Sequence, residues 1–509
     1  MSALLPSACT QSTPSPAPEA GATASASASA SALVSSRAQH SDTEVQQAVL
    51  AELRKDPHLD VARIQVAATH GLIELSGTLD NLVSRERATR IAEVVRGVNS
   101  VANRIEVEAP ARDAADIAAD VRKALKYNAA TARMPIVVSV TNGVVRLTGS
   151  IGSWQEQQLA ERVADGVRGV RFCQNDLTTT GAPKRTAALI QADVESRLAW
   201  DALVEHDPIT AKVKGDRVSL SGTTGSAAER LRVINDAWVA GVMGVDADAV
   251  TVSLVARPDA NLRAGASKSD HQIAQAIKSA AFYDPRVRSF SVDPTVVDGV
   301  ATLNGTVATP GARLAAEALA RNTVGVRTVK NELVVRVAQT TPDKLLQKQV
   351  QDALLLDSMT DARNIQVLVD KGAVTLTGSI ASYFDSAEAL DVASGVPGVT
   401  RINNQLQVMN PAVPYVYSPW ADPFTPNVEA WYVTSLRPTL PDATIAQRIK
   451  ENYSWSPFIL EPDVQVQVQD GTATLTGTVH SYRERQAAVD NALEAGAVKV
   501  TDELRLGSG

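Results

Sequence analysis

The chain has 509 residues, of which 44% are hydrophobic, 21% charged and only 4% aromatic, with a net charge of −7. This is the composition of a globular protein built on small aliphatic cores. It excludes a strongly basic nucleic-acid surface, and two cysteines, Cys9 and Cys173, exclude a disulfide framework or a cysteine-rich zinc site. At roughly 150 residues per domain the length alone suggests about three domains. The repeats divide the chain more finely. No apolar run reaches the ~18 residues that a membrane-spanning helix needs.

In chain order, residues 1–41 come first. From residue 10 they are dominated by Ser, Ala, Pro and Thr, with an alternating Ala-Ser run at 24–32. Such a stretch buries too little surface to offset its ordering entropy and is expected to be a disordered tether. The segment ending at Cys9 resembles the end of a bacterial lipoprotein signal peptide, with Ala8 before the cysteine and Leu4 and Leu5 upstream. It departs from that pattern at Pro6 and lacks a basic n-region. Two readings stand: Cys9 is a lipidated residue of a longer precursor, or it is an ordinary residue of the tether.

Six copies of one pattern follow. The signature Gly-x5-Gly occurs at Gly71/Gly77, Gly143/Gly149, Gly299/Gly305, Gly372/Gly378 and Gly471/Gly477. A degenerate copy ends at Gly222, with Asp216 in place of the first glycine. Successive second glycines lie 72, 73, 83, 73 and 99 residues apart. An alternating run such as Val464, Val466 and Val468 precedes the signature and reads as a half-buried strand. Asn142-Gly143, Asp298-Gly299 and Asp470-Gly471 then mark hairpin turns. Within the signature, residues such as Val145 and Leu147 point to one face. Four residues past the second glycine stands a helix cap: Asn81, Ser153, Ser226, Thr309, Ser382 and Ser481. Glu156, Glu229 and Glu484 are placed to complete capping boxes. Gly97, Gly169, Gly244, Gly325, Gly398 and Gly496 are expected to end these helices, and an alternating strand closes each copy. An amphipathic helix precedes each hairpin.

Each copy is thus an α-β-β-α-β unit, and the fold class is α+β: six tandem two-layer domains, each with two helices on a three-stranded mixed sheet. The expected domains span 42–109, 113–180, 187–256 (the degenerate copy), 268–338, 341–409 and 441–507. The eleven signature glycines, Gly222 among them, are read as structural. A phosphate-cradling role would need Gly-Lys-Ser/Thr or Gly-x-Gly-x-x-Gly, and neither accompanies them. Ser84, Ser153 and Ser481 are read as cap serines, Cys173 as a core residue, and the cluster Arg85-Glu86-Arg87 as a solvated helix face. No catalytic residue, metal ligand or cofactor-binding residue is expected.

The remaining segment, 410–440, is rich in proline and holds Tyr415, Tyr417, Trp420, Phe424, Trp431 and Tyr432, six of the chain's twenty aromatics. It reads either as an extended linker packed on its neighbour or as an interfacial contact, since Trp and Tyr suit lipid headgroups. Trp455 and Phe458 would extend the same surface.

The DGxxTLTG strands, the helix Ser481–Ala488 and the Gly325–Val335 ending resemble the BON-domain family, named for bacterial osmotically inducible and nodulation proteins. The resemblance covers about 42–409 and 441–507. It implies binding and not catalysis: contact with phospholipid or a membrane surface and with envelope proteins, a place in the periplasm or on the outer membrane, and a role in envelope or osmotic stress. Neither nucleic acid nor a small-molecule substrate is expected. The alternatives are a protein-interaction scaffold and a soluble stress or ion-sensing protein, the latter because some members bind potassium. If the first methionine is the true start and no signal exists, the location is cytoplasmic.

Overall fold

The computed structural model describes residues 40–56, 58–180, 185–204, 209–253, 268–287, 291–337, 340–360, 362–409, 440–459, 464–479 and 482–506. The tether with Cys9 and the aromatic residues from Tyr415 to Tyr432 lie outside the described residues, as does the cap at Ser481. Six units follow one another, each running helix, hairpin, helix, strand. Their first helices are Asp42–Lys55, Ala114–Tyr127, Ala187–Trp200, Asp270–Tyr283, Asp343–Leu356 and Asp442–Trp455. Their second helices are Leu82–Glu93, Trp154–Asp165, Ala227–Ala237, Pro310–Arg321, Tyr383–Ser394 and Tyr482–Glu494. The hairpin strands pair antiparallel and the last strand adds parallel beside the second, so that strand is central in each three-stranded sheet. In the fourth unit the last strand is split into Thr328–Asn331 and Val334–Val335.

Burial follows the period-two pattern of a sheet covered on one face. Ile73, Leu75, Val145, Leu147, Val374 and Leu376 are fully buried, while alternate residues such as Gln465 and Gln467 are exposed. The second signature glycine lies inside the central strand: Gly477, for instance, pairs with Val464 on one side and Leu504 on the other. All six of these glycines, Gly77, Gly149, Gly222, Gly305, Gly378 and Gly477, adopt φ of 119° to 144°. At Gly77, Gly149, Gly305 and Gly378 a Cβ would also fall on the carbonyl oxygen of Arg63, Pro135, Ser291 or Asn364, where the hairpin's first strand begins. For Gly222 and Gly477 the equivalent carbonyls, at 208 and 463, lie outside the described residues. These two share the backbone conformation of the other four. In the third unit Gly215 takes the positive φ of the turn, one residue ahead of Asp216.

Three local expectations need correction. The helices end before the glycines assigned to stop them. Gly97 lies past the cap residue Val94, in the loop to the last strand, and a side chain there would strike Val45 of the first helix. In the third unit Gly241 fills this role, at φ 93°, while Gly244 opens the last strand. Ser84 is not a cap: Asn81 Oδ1 accepts from the Ser84 amide at 2.7 Å. Finally, Glu156 and Glu229 bond the amides of Gly152 and Gly225, one residue before the cap, at 2.6 and 2.8 Å. Ser382 and Asp385 do form a reciprocal box.

The units do not sit as separate beads. Units 1 and 6, 2 and 5, and 3 and 4 join through the ends of their first helices. Ser358 donates its amide to the Gly166 carbonyl at 2.7 Å, and reciprocally Ala129 donates to Gly395 at 2.9 Å. Ala202 donates to Asn322 at 2.9 Å and Arg96 to Trp455 at 2.8 Å in the other two pairs. The last helical residues Tyr127, Trp200 and Trp455 pack against the cores of units 5, 4 and 1. A second set of contacts joins unit 5 to unit 1, through Met359, Phe384 and Val83. It also joins unit 3 to unit 6, through Leu203 and Ala228 in the core that holds Phe458. A third set links the first three units in a cycle. Leu82 enters the core of unit 2, Trp154 stacks on Trp238 of unit 3 at 5.1 Å, and Ala227 enters the core of unit 1.

The glycine geometry predicts a ranking. Gly215 has φ 67°, and a Cβ on it would meet nothing within 4 Å, so Gly215→Ala should cost about 1 kcal/mol for the left-handed backbone alone. Gly305→Ala adds a backbone collision and should lower the thermal unfolding midpoint severalfold more; equal shifts would refute the steric account.

Candidate functional site

The six second helices turn one face toward a shared cavity of about 1410 Å³. Arg90, Arg162, Asn235, Gly311, Asp391 and Asp490, one from each of these helices, line it. The first five of these helices are capped by Asn81, Ser153, Ser226, Thr309 and Ser382, and bonds to the last strand of the same unit hold several of them in place. Asn103 donates to the Arg85 carbonyl and to Thr89 Oγ1, both at 2.7 Å. Asn175 and Asn331 make the same pair of bonds, to Gln157 and Glu161 and to Arg313 and Glu317. In the third unit the helix itself reaches the strand: Arg230 donates to the carbonyls of Val250 and Ala247, each at 3.0 Å.

Carboxylates dominate the charge in the cavity. Burial pushes the Glu388 carboxyl up to about 8, with Asp357 and Asp391 adding repulsion and Arg162 and Arg87 opposing it. Asp490 is pushed up to about 6 by burial, against the Gln486 bond and the charge of Arg321. Burial likewise raises Asp391, and raises Asp165 strongly with help from Glu161 and Glu86. Three of the seven lining arginines have carboxylate partners outside the lining, while Arg85 keeps a buried Nε without a hydrogen-bond partner. Arg87 pairs with Asp56 and lies 4.2 Å over the Phe384 ring, Arg286 pairs with Asp284 at 2.7 Å, and Arg90 with Glu93 at 3.2 Å. Among the described residues no group of His, Cys, Asp or Glu could hold a metal ion. The arrangement offers a polar, acidic space with apolar walls.

The model of the family described as BON domain matches residues 41–109, 113–181, 186–253, 269–337, 342–410 and 441–508. The chain belongs to the BON-domain family. One relative of this BON protein is Osmotically-inducible protein Y of Escherichia coli, 29% identical over 145 residues, which are 27% of this chain and 72% of that one. Another is Outer membrane lipoprotein DolP of Haemophilus influenzae, 28% identical over 169 residues, 32% of this chain and 84% of that one. Among solved structures, CdsD, a structural protein of the type III secretion system of Chlamydia trachomatis, covers 44% of this chain and 92% of its own. Its identity is 15% and its TM-score 0.12, too low to support any statement about this protein.

The residues singled out from the sequence fare differently. Of the proposed aromatic surface, Phe458 is 2% exposed in the core of BON unit 6, and Trp455 packs against the core of unit 1. Phe458 therefore cannot extend an exposed surface; both side chains serve seams between units. The signature glycines stand apart from the cavity. Gly71, Gly143, Gly299, Gly372 and Gly471 sit in the hairpin turns, Gly222 and Gly477 in central strands with their equivalents, and none is among the lining residues. The cluster Arg85-Glu86-Arg87 is half-buried, and all three residues line the cavity. Cys173 is buried in the core of unit 2 with its thiol pushed up by burial and by Asp165. Sequence reasoning missed Glu388, Asp391 and Asp490. The available signal was Glu388 and Asp391 three residues apart in a helix otherwise rich in buried Ala and Leu.

These shifts fix a pH dependence. Glu388 ionises in the unfolded chain near the ordinary Glu value of about 4.3 but in the folded chain only near 8. The folded state therefore holds the extra proton between those values, and stability falls as pH rises through that window. Glu388→Gln should raise the unfolding midpoint at pH 8.5 and leave it unchanged at pH 4; a lower midpoint at pH 8.5 would contradict the assignment.

Proposed function

We propose that this protein is a non-enzymatic component of the bacterial envelope that contacts phospholipid or envelope proteins through its BON units, in envelope or osmotic stress. The observation that carries this reading is the family membership of six successive units. Support comes from relatives whose names state osmotic induction and an outer-membrane lipoprotein. The proposed contact surface is the segment 410–440, whose Trp and Tyr residues suit the headgroup region. The segment lies between units 5 and 6 in sequence, and unit 6 is the unit proposed to share the contact. Attachment through a lipidated Cys9 is part of the same proposal, with the tether of residues 10–41 giving the units reach above a surface.

Two measurements test this reading. In liposome flotation, the unlipidated chain should float with phospholipid vesicles and deletion of 410–440 should abolish it; no association with neutral or anionic vesicles sinks the lipid reading. Intact mass of native protein from the membrane fraction should show a mature chain beginning at an acylated Cys9. An unmodified chain in the cytoplasmic fraction would remove the envelope placement.

A further inference from the structure

We propose that the cavity between the six units is a binding site for an aliphatic polyamine. Ten carboxylates and seven guanidinium groups line it, and no lysine or histidine is among the lining residues. Arg87, Arg90 and Arg286 already have carboxylate partners, Asp56, Glu93 and Asp284, and all three lie outside the lining. The acids left over are conspicuous for what they lack. Glu388 and Asp391, one helical turn apart, make no side-chain hydrogen bond to any described residue. Asp490 presents a buried Oδ2 without a hydrogen-bond partner, and so does Asp165 at Oδ1. The charges of Arg87, Arg162, Arg286 and Arg321 act on Glu388, Asp391 and Asp490, yet burial still raises all three carboxyls, and a buried carboxylate is costly unless a proton or a directly bound cation joins it.

The placement of these acids on different units bears on the kind of cation. They come from separate units: Asp165 from unit 2, Glu388 and Asp391 from unit 5, Asp490 from unit 6. No three of them gather as a metal ion requires. Apolar side chains such as Val94, Val163, Leu231 and Val392 share the same walls. Dispersed anionic points along apolar walls match a flexible chain of ammonium groups joined by methylenes, whose stems lie on apolar surface while their heads meet the carboxylates. At about 1410 Å³ the cavity exceeds the usual range of small-molecule sites, so a linear polyamine fits with water beside it. Since Glu388 holds a proton at neutral pH, uptake of the cation should expel it.

The test is calorimetric titration of the full chain with spermidine at pH 7 and physiological salt. Saturable binding is expected, with proton release that makes the heat depend on the buffer's ionisation enthalpy. The double substitution Glu388→Gln/Asp391→Asn should weaken it about tenfold or more, the scale of a lost charge-assisted contact. Glu106→Gln/Asp246→Asn, which neutralises two exposed acids, should leave it unchanged, and unfolding midpoints verify that both variants are folded. Absence of binding at millimolar spermidine overturns the proposal. So does equal weakening in both variants, which would mean surface attraction to an acidic protein, or equal competition by potassium or magnesium ions.

Discussion

Everything in this structure depends on the second side of the helices. In each unit the helices cover one face of a three-stranded sheet, and a module this small buries only part of the surface its unfolded chain exposes. Its helix ends and loop residues still carry apolar side chains and unpaired carbonyls. Those groups are satisfied by other units: Gly166 and Gly395 accept amides from across the seam, and Tyr127, Trp200 and Trp455 complete neighbouring cores. The low aromatic content is therefore misleading if taken as a measure of packing. Among the described residues several large rings, Tyr127, Trp154, Trp200, Trp238, Trp455 and Phe458, lie between units, where one side chain must span a gap that small aliphatics cannot.

The three kinds of seam recur in equivalent positions, which gives the chain the contact pattern of a trimer of dimers made from one polypeptide. Units 1 to 3 form one ring of contacts, and each pairs with a unit from the second half in reverse order. Divergence between copies then does what identical subunits cannot. Nine residues after the helix cap, units 1 and 2 carry Arg90 and Arg162 while units 5 and 6 carry Asp391 and Asp490. The charges of Asp391 and Arg162 act on one another across the seam. Opposite signs at equivalent positions penalise wrong pairings, so register is set partly by repulsion among alternatives.

The fold of one unit was legible because every local signal agreed: alternation, turn residues, caps and glycines all pointed to the same topology. The degenerate third unit was legible at its strands but not at its helix end, where Gly241 and Gly244 compete and only packing against the first helix decides. The cavity was not legible. Charged residues such as Arg85 and Glu86 at helical spacing look alike whether they face water or a cavity between units, and the difference lies in contacts between residues hundreds of positions apart, such as Arg96 with Ser456. Trp455 and Phe458 misled for the same reason, since a seam and a membrane favour the same side chains.

The reverse order of pairing has a consequence for synthesis. Unit 1 leaves the ribosome first, yet its partner, unit 6, is the last to be made, and only the pair of units 3 and 4 meets early. The chain should therefore assemble from its middle outward, with the seam between units 1 and 6 closing last. Long-range closure of this kind is slow compared with folding of a single unit. Until the final unit arrives, the chamber lacks the wall that Asp490, Asn491 and Glu494 supply, so a chain truncated before residue 441 would hold five units around an incomplete cavity.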